Sequence, residues 1–430
     1  PDQSEFWNVR KSGLNIMMSM KGDGKPISFI EDCAVPLEDL AEYTDRLTNV
    51  FTKYGTRGTW YAHASVGCLH VRPVVNLKED TGAGTMRAIA EEAFEMVREY
   101  KGSHSGEHGD GIVRSEFHRP MFGDRMIDNF EEVKDIFDPN GIMNPGKIVH
   151  PPKFDDRSLL RFKPGYESLK LDTALDWSEW GGLGGAVEMC NNNGACRKFD
   201  AGVMCPSFRA TQDEQHLVRG RANTLRLALS GQLGEDDFTS DEMHETMELC
   251  VGCKGCKREC PTGVDMSRMK TEFLYHYNRR HGLSLRDKLV AYLPRYAPWA
   301  SKFPWLANLR DAIPGLAKLS EAIAGLSAKR TLPNWRGDAF DVRTQHAGPT
   351  DGTPVVILAD TFNTYFEPEN LIAATRVLAN AGYRVEFAKA PKGERPLCCG
   401  RTFLAAGLVD EARAEATRTI EALKPHVEAG

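Results

Sequence analysis

The sequence CVGCKGCKRECP, residues 250–261, decides which class of protein this chain belongs to. Three cysteines separated by two residues each, and a fourth that precedes proline, form a short loop that can place thiolates around an iron–sulfur cubane. Zinc sites more often combine two Cys-x2-Cys hooks that lie far apart in the sequence, so the spacing favours a 4Fe-4S cluster over zinc. The motif therefore predicts an iron–sulfur redox protein, with Cys250, Cys253, Cys256 and Cys260 as candidate ligands.

A second, imperfect copy of the motif lies upstream of the first. Its last cysteine also precedes proline, and in two-cluster domains such a cysteine ligates the other cluster. Two alternatives follow: one cluster on the downstream run alone, or two clusters that exchange their Cys-Pro ligands. A second cluster would contain three irons or use a ligand other than cysteine, because Asn193 occupies the middle ligand position. In the two-cluster alternative the ligand sets are Cys205, Cys250, Cys253 and Cys256 for one cluster, and Cys190, Cys196 and Cys260 for the other.

Length and composition limit the remaining possibilities. At ~150 residues per domain, a chain of 430 residues predicts three modules. The residues are 41% hydrophobic and 27% charged, as in globular proteins, and the formal net charge of -6 argues against a nucleic-acid partner. Seven of the eleven cysteines lie between Cys190 and Cys260, which fits thiolate ligands in a reducing compartment better than a disulfide framework.

The sequence contains no run of ~18 apolar residues and no export signal at its start. We therefore expect a cytoplasmic protein without a transmembrane segment. Because the sequence starts without Met and stops after a helix-like stretch, we also expect that it is truncated at both ends.

Residues 1–150 have the periodicity of a β-α-β-β-α-β module. This order predicts an α+β fold in which a ferredoxin-like split β-α-β sheet is backed by helices. A further helix leads to the turn-rich sequence FDPNGIMNPGK at residues 137–147. The predicted strands are residues 27–33, 58–64, 68–74 and 103–107, and the predicted helices are residues 36–54, 86–100 and 125–136.

The rest of the chain divides into a linker and two further modules. Residues 151–183 are rich in charge, proline and glycine and predict a linker, whereas residues 184–330 predict a helical iron–sulfur domain. An aromatic patch in this domain predicts either connecting helices packed on the cluster region or a surface for a membrane or a quinone. Residues 350–430 predict half of an α/β unit, with strands at 355–359 and 383–388, a helix from Pro368 and a long final helix. The patch consists of Trp299, Phe303, Pro304, Trp305 and Leu306.

The first module also contains a candidate metal site. His63 and His70 lie on neighbouring predicted strands, where cross-strand residues come within about 5 Å. The sequence GEHGDG at residues 106–111 ends another predicted strand with the carboxylate of Glu107. Two histidines and a carboxylate can form an open metal site, although paired histidines on a half-buried strand are often only hydrogen-bonded core residues. Arg72 shares the face of His70, because strand side chains alternate.

Three motifs in residues 1–150 resemble the C-terminal half of FAD-linked 2-hydroxyacid dehydrogenases, the vanillyl-alcohol-oxidase-like group. They are His63-x6-His70, GEHGDG at residues 106–111 and FDPNGIMNPGK at residues 137–147. Together with the cluster domain and the sequence Cys398-Cys399-Gly, the order of modules is similar to that of the bacterial D-2-hydroxyglutarate dehydrogenases that fuse flavin and iron–sulfur domains. The Cys-Cys-Gly sequence resembles a signature of cysteine-rich modules in heterodisulfide reductases, but the other cysteines of that module are missing here. Cluster binding, a redox thiol pair and a structural role all stay open for it.

The resemblance implies roles for individual residues. His63, His70 and Glu107 would bind zinc or manganese, and His108 would be the general base. Arg10 and Arg72 are the candidates for the carboxylates of the substrate, although human-type relatives carry Asn at the position of Arg72, and solvated surface arginines are the alternative. Asn144 would lie near the flavin ring. The FAD-binding half of the family normally precedes this module, and we find no Gly-rich phosphate loop before residue 100, so FAD would be bound mostly outside this chain.

The implied activity is oxidation of a D-2-hydroxy acid, with D-2-hydroxyglutarate as the first candidate and 2-oxoglutarate as its product. Electrons would pass through the cluster domain to a quinone or a carrier protein, so peripheral contact with the inner membrane is part of this expectation. Two alternatives remain from the sequence. One keeps the chemistry with D-lactate or glycolate as the substrate, and the other is a non-catalytic electron-transfer subunit.

Overall fold

The computed structural model describes residues 2–234, 236–343 and 346–429, which form a mixed helix and sheet architecture. The first part of the chain consists of helices that pack around a small antiparallel sheet. In chain order, its elements are α1 (Asp2–Met18), β1 (Lys25–Pro26), β2 (Cys33–Ala34), α2 (Leu40–Lys53), β3 (Gly58–His63), β4 (Cys68–Val75), α3 (Asp80–Glu99), α4 (His118–Phe122) and α5 (Asp124–Phe137).

Strand β4 is the centre of this sheet. It pairs antiparallel with β3 on one side, and on the other side β1 and β2 pair with its two ends. The apolar faces of the amphipathic helices α2 and α3 supply most of the core, which includes Tyr43, Leu47, Phe51, Ile89 and Phe94. The sheet and its two long helices therefore form one layered unit that supports the loops at the end of β3 and β4.

Two predicted strands are wrong in extent. Residues 27–33 do not form one strand, because Asp32 has a positive φ of 83° and only β1 and β2 at the two sides of this segment pair with β4. Residues 103–107 make a single bridge from Ser103 to Ala34 and continue as an irregular loop. Helix α3 begins six residues before the predicted start at Met86, and α2 begins four residues after its predicted start, whereas β3, β4 and α5 lie within one residue of their predicted bounds. Helix α1, which has no buried residue, was not predicted.

The second part of the chain is helical. Its core gathers apolar side chains from α6, α8, α9 and α11 together with several of the cysteines. In chain order, the helices are α6 (Leu183–Glu188), α7 (Pro206–Thr211), α8 (Val218–Leu229), α9 (Asp241–Glu248), α10 (Gly255–Glu259), α11 (Met266–His281), α12 (Leu285–Ala291), α13 (Leu293–Ala300), α14 (Pro304–Ala307), α15 (Leu309–Ala312) and α16 (Leu316–Ala324).

The segment predicted as a linker has little regular structure, but its C-terminal part packs on the helical core. The buried carboxylate of Glu272 on α11 accepts hydrogen bonds from the backbone N–H groups of Ala174 and Leu175 and from the indole N–H of Trp177. Lys78 of the first module forms an ion pair of 2.6 Å with Glu188 on α6 of the helical module. These contacts join the sheet module, the linker and the cluster module.

The third part of the chain has a parallel strand pair. Strand β5 (Thr353–Ile357) pairs in parallel with β6 (Tyr383–Phe387), and α18 (Pro368–Asn380) connects them after the short helix α17 (Thr361–Tyr365). Helices α19 (Arg401–Ala405) and α20 (Val409–Glu428) complete it. Its contact with the cluster module includes a hydrogen bond of 2.7 Å from Asn278 Nδ2 to the carbonyl of Ala406.

No helix among residues 2–234, 236–343 and 346–429 has both the length and the apolar character needed to cross a membrane. In the aromatic patch at α13 and α14, the side chains of Trp299, Phe303, Trp305 and Leu306 are exposed, whereas Pro304 is half-buried.

Candidate functional site

Three imidazole rings converge on one carboxylate oxygen in the first module. Oε1 of Glu107 lies 3.0 Å from Nε2 of His63, 3.0 Å from Nε2 of His70 and 3.4 Å from Nε2 of His108. His70 is buried, while the other three side chains are partly open to solvent. The residues that the sequence predicted as metal ligands and base are therefore brought together at one partly open point.

The pairing of β3 and β4 places the two histidines. Tyr61 lies directly opposite His70, and His63 lies opposite Cys68, so His63 and His70 are diagonal neighbours across the pair. Their rings are 4.9 Å apart and nearly perpendicular, and the ring of His108 stacks on His70 at 4.8 Å. The expected approach of about 5 Å is confirmed for the rings, although the two histidines are not directly opposite.

The loop that carries Glu107 and His108 is fixed by a buried carboxylate. Asp32 accepts hydrogen bonds of 2.8–2.9 Å from the backbone N–H groups of Gly106, Glu107 and His108. Burial alone would raise the pKa of Asp32, but the N–H groups of His108 and Glu107 outweigh this effect and lower the pKa. Asp32 therefore stays ionised and holds both functional side chains at the end of the sheet.

A second buried carboxylate faces the other edge of the His108 ring. Oε1 of Glu31 lies 3.4 Å from Nδ1 of His108, and it accepts a hydrogen bond of 2.9 Å from Nη2 of Arg72. Arg114 fixes the same segment with a bond of 2.7 Å to the carbonyl of Glu31. Since Nδ1 faces a carboxylate, the Nε2 atom of His108 is the one that faces Glu107 and the space around it.

The two candidate substrate arginines differ in their surroundings. Arg10 extends from the exposed helix α1, and its Nη2 lies 3.4 Å from Nδ1 of His63. Arg72 is largely buried in its ion pair with Glu31 and so has a protein partner already. Asn144 has a positive φ of 46° on the loop after α5, where its Oδ1 accepts from Lys147. Within the described parts of the chain, no hydrogen bond links Asn144 to the histidines.

The donors around Glu107 suit a divalent cation, since zinc and manganese sites combine imidazole nitrogens with carboxylate oxygens. Burial, followed by the neighbouring His108, lowers the pKa of His70, so this ring stays neutral and able to coordinate. Separations of 3.0 Å between donors are near the ~3.3 Å edge of a tetrahedral zinc site. His63 approaches Glu107 but is in neither of the tighter groups around His70. Among described residues, three groups have candidate ligand atoms within 4.8 Å of one another: Asp32, Cys68, His70 and Glu107; Glu31, His70 and His108; and His104, Asp110 and His118.

The cysteines of the helical module separate into two groups. Cys205, Cys250, Cys253 and Cys256 line one small cavity, to which the upstream Cys-Pro pair contributes Cys205. Burial raises the pKa of Cys256 to about 12, so it would remain a protonated thiol until a metal or cluster binds. This first group fits a four-thiolate ligand set in number and kind.

The remaining cysteines, Cys190, Cys196 and Cys260, lie near one another. Burial raises the pKa of Cys190, and the proximity of Cys260 raises it further. Burial also raises the pKa of Cys196 to about 11, and Cys190 adds to this effect. Sγ of Cys190 lies 3.8 Å from Oδ1 of Asn192, so an amide oxygen lies beside this group of three cysteines.

The Cys-Cys-Gly sequence lies beside the cluster module. Cys398 is buried and its Sγ accepts the N–H of Gly400, whereas Cys399 is exposed. The hydrogen bond with Cys398 lowers the pKa of Cys399 to about 6, which makes Cys399 the thiol that ionises first. The next residue but one, Arg401, approaches Gly252 of the cluster loop.

Sequence reasoning missed Glu31, Asp32 and Arg114. The first two lie in residues 27–33, which the alternating pattern predicted as a plain strand, and their contacts with the loop at 106–108 cross more than 70 residues of sequence. A pair of acidic residues inside an otherwise apolar predicted strand was the available signal, because buried carboxylates require partners.

Two protein-family models match parts of this chain. The model of FAD linked oxidases, C-terminal domain, matches residues 1–148, and the model of the 4Fe-4S dicluster domain matches residues 186–264. The first range contains the histidine and carboxylate site, and the second contains all seven clustered cysteines.

Among curated proteins, the D-2-hydroxyglutarate dehydrogenase of Pseudomonas putida is 29% identical over 92% of this chain and 43% of its own length. The Escherichia coli (strain K12) protein of the same name is 32% identical over 70% of this chain and 32% of its own length. Glycolate oxidase subunit GlcD of Bacillus subtilis is 27% identical over 33% of this chain and 29% of its own length. The chain thus spans less than half the length of these relatives. The chain contains a match to the C-terminal domain of FAD linked oxidases, followed by a match to the 4Fe-4S dicluster domain, and most of its length is similar to D-2-hydroxyglutarate dehydrogenases.

Proposed function

We propose that this chain is part of an FAD- and iron–sulfur-dependent dehydrogenase that oxidises D-2-hydroxyglutarate to 2-oxoglutarate. The observation that carries the proposal is the convergence of His63, His70 and His108 on Glu107, at distances of 3.0, 3.0 and 3.4 Å. Such a group can bind a hydroxy acid through a cation and remove its hydroxyl proton. The two domain matches and the similarity to D-2-hydroxyglutarate dehydrogenases support it.

His108 is the general base in this proposal. Its Nε2 faces the space beside Glu107, and its Nδ1 faces Glu31. Carboxylates lie 3.4 Å from both ring nitrogens, but Glu107 would be engaged by the cation. Glu31 would then favour the tautomer in which Nδ1 carries the proton, so that Nε2 has the free electron pair that accepts the hydroxyl proton. Glu31 in turn is fixed by Arg72. Glu31 and Arg72 thus position the base without contacting the substrate.

His63, His70 and Glu107 would bind the divalent cation, zinc or manganese, which when bound lowers the pKa of the substrate hydroxyl. FAD, which belongs mostly to a part of the enzyme outside this chain, supplies the site that accepts the hydride, with Asn144 proposed near its ring. The chain itself supplies the base, the ligands and the charges that orient the acid.

We assign Arg10 to the second carboxylate of the substrate. Because Nε2 of His63 faces Glu107, coordination through Nε2 leaves the ring proton on Nδ1, which then cannot accept from Arg10. The exposed guanidinium is therefore free for a carboxylate, which it matches in a bidentate manner. Arg72 is less suited, since a substrate would have to displace Glu31.

The clusters provide the exit for electrons. Cys205, Cys250, Cys253 and Cys256 would bind one 4Fe-4S cluster, and Cys190, Cys196 and Cys260 a second one. A quinone or a carrier protein is the proposed acceptor, and the exposed aromatic patch on α13 and α14 is the proposed place of peripheral contact with a membrane.

A panel of hydroxy acids tests the proposed function. The flavin-loaded enzyme is mixed without oxygen with D-2-hydroxyglutarate, its L enantiomer, D-lactate and glycolate, and flavin absorbance is followed. D-2-hydroxyglutarate should reduce the flavin fastest. Faster reduction by D-lactate or glycolate, as the similarity to glycolate oxidase subunit GlcD allows, would change the substrate but keep the chemistry. No reduction by any acid would favour the non-catalytic subunit.

A further inference from the structure

The helical module contains a buried arginine that has no acidic partner among the described residues. Arg221 on α8 is 0% exposed and is the largest of the fully buried side chains. Its Nε donates to the carbonyl of Thr246 at 2.9 Å, and its Nη2 donates to Oγ of Ser207 at 3.1 Å. Among the residues that the structure describes, no carboxylate oxygen lies within 4.0 Å of its nitrogens, since every described ion pair involves other cations.

The remaining nitrogen of Arg221 points at a cysteine. Nη1 lies 3.8 Å from Sγ of Cys205, and the side chain lines the same cavity as Cys205, Cys250, Cys253 and Cys256. A guanidinium cannot lose its proton in a protein, so its positive charge is carried into the core. Burial of an uncompensated charge is strongly unfavourable, and a negative group beside it is therefore required. The thiolates that line this cavity, together with the cluster that they would bind, can supply that negative charge.

We propose that Arg221 is the counter-charge of the cluster bound by Cys205, Cys250, Cys253 and Cys256, and that it raises the reduction potential of this cluster. Reduction adds one electron and therefore one negative charge to the cluster, and a fixed cation next to a ligand sulfur stabilises the reduced state more than the oxidised state. The inference rests on the cluster assignment in the proposed function, but it does not depend on the substrate.

Arg219 on the same helix offers a matched control. It lies near the other group of cysteines, where its Nη1 donates to the carbonyl of Asn192. Unlike Arg221 it is partly exposed and paired with Glu214 at 2.5 Å. Its charge is thus compensated by a carboxylate and by solvent. The pair of arginines separates the effect of a buried, unpaired charge from that of any arginine on this helix.

The experiment is a redox titration of the holoenzyme with mediators, followed by EPR, for wild type, Arg221→Gln, Arg221→Lys and Arg219→Gln. Iron and acid-labile sulfide are measured first, and their absence from wild type would refute the cluster assignment itself. With iron retained, Arg221→Gln should lower the midpoint potential of one cluster, Arg221→Lys should stay near wild type, and Arg219→Gln should leave that cluster unchanged. An unaltered midpoint in iron-loaded Arg221→Gln would overturn the proposal.

If Arg221→Gln loses its iron, its midpoint potential cannot be measured, and Arg221→Lys then tests the proposal. Arg221→Lys keeps the charge but not the shape, so retained iron with a near-wild-type midpoint supports the counter-charge, whereas loss of iron in both variants shows a packing role and overturns it. Anaerobic flavin reduction by D-2-hydroxyglutarate, measured in the same preparations, should be unchanged. If wild type fails that assay, the proposed substrate is wrong, while the titration still tests Arg221.

Discussion

The Nδ1 atom of His108 lies 3.4 Å from Oε1 of Glu31, a buried carboxylate that a guanidinium holds from its other side. This contact orients the imidazole before any substrate binds. Under the proposed function it also distinguishes two roles that the sequence could not separate: contact with the reacting atoms, proposed for His108, and control of that contact, proposed for Glu31.

Replacing His108 by Asn should slow anaerobic flavin reduction by roughly 10²–10⁴, because the base is lost while the metal ligands stay. Replacing Glu31 by Gln should slow it less, by roughly 10–10², since the ring remains but its tautomer is no longer fixed. Stopped-flow reduction at saturating D-2-hydroxyglutarate measures both rates. KM should change little in either variant. A rate for His108→Asn within about threefold of wild type, at full flavin and metal occupancy, would remove His108 from the mechanism.

His63→Asn should behave differently from His108→Asn. Loss of a ligand should lower the zinc or manganese content, and substrate affinity and reduction rate should fall together, with partial recovery on added metal. Metal analysis of the purified enzyme, before and after chelation, gives the readout. Normal metal content in both His63→Asn and His70→Asn would show that these histidines are only core residues.

Replacement of Arg10 and replacement of Arg72 should differ in their effects on D-2-hydroxyglutarate and D-lactate. Arg10→Met should lower kcat/KM for D-2-hydroxyglutarate by roughly tenfold to 10²-fold and leave D-lactate nearly unchanged, because D-lactate has no second carboxylate. Arg72→Met should harm both acids alike, since it leaves Glu31 buried without its cation. Steady-state kinetics with both acids on each variant is the measurement. Equal losses for both acids in Arg10→Met would remove Arg10 as the reader of the second carboxylate.

Cysteine variants test how the two clusters share their ligands. Cys205→Ser and Cys253→Ser should remove the same EPR signal and up to about four irons, although Cys205 precedes the others of its group by 45 or more positions in the sequence. Cys260→Ser should affect the other signal. Flavin reduction should persist in all three variants. If Cys260→Ser and Cys253→Ser abolish the same signal, the downstream run binds a cluster by itself.

His104 predicts a pH dependence of stability. Burial, opposed by Asp110 and assisted by His118 and Arg114, lowers the pKa of His104 to about 4. In the unfolded chain the pKa of His104 is near 6.5, so between pH 6.5 and 4 the unfolded chain binds a proton at His104 and the folded chain does not. The free energy of unfolding therefore falls as the pH falls from 6.5 to 4. At pH 5.5 the loss is on the order of 1 kcal/mol. The Tm should decrease between pH 7.5 and pH 5.5, and this decrease should be smaller for His104→Phe than for wild type. Equal decreases would contradict this assignment.

The sequence predicted the parts of the site that local motifs encode. The spacing of His63 and His70 on two adjacent strands was enough to expect these two side chains near each other, because strand pairing and turns are local. That His108 belongs to the same site was implied only by the family resemblance. The exchange of Cys205 could be stated only as an alternative, since the spacing of the cysteines does not say which thiolates meet in space.

What the sequence could not predict depends on contacts between distant residues. Asp32 adopts a positive φ inside a segment with strand periodicity, because its carboxylate receives three backbone N–H groups from a loop 74–76 residues away. Arg221 is fully buried, and nothing in the sequence around it indicates burial beside a thiol. In both positions a tertiary partner overrides the local pattern.

The capture of the 106–108 backbone by Asp32 also has a thermodynamic consequence. An irregular loop that is free in solution would lose its conformational entropy each time a substrate is bound, at about 1–2 kcal/mol per residue, or roughly 3–6 kcal/mol for three residues. Here the chain loses that entropy once, when the sheet folds around Asp32. The segment that carries Glu107 and His108 is therefore already ordered when a substrate arrives. The binding energy of the substrate is left for orienting the acid itself.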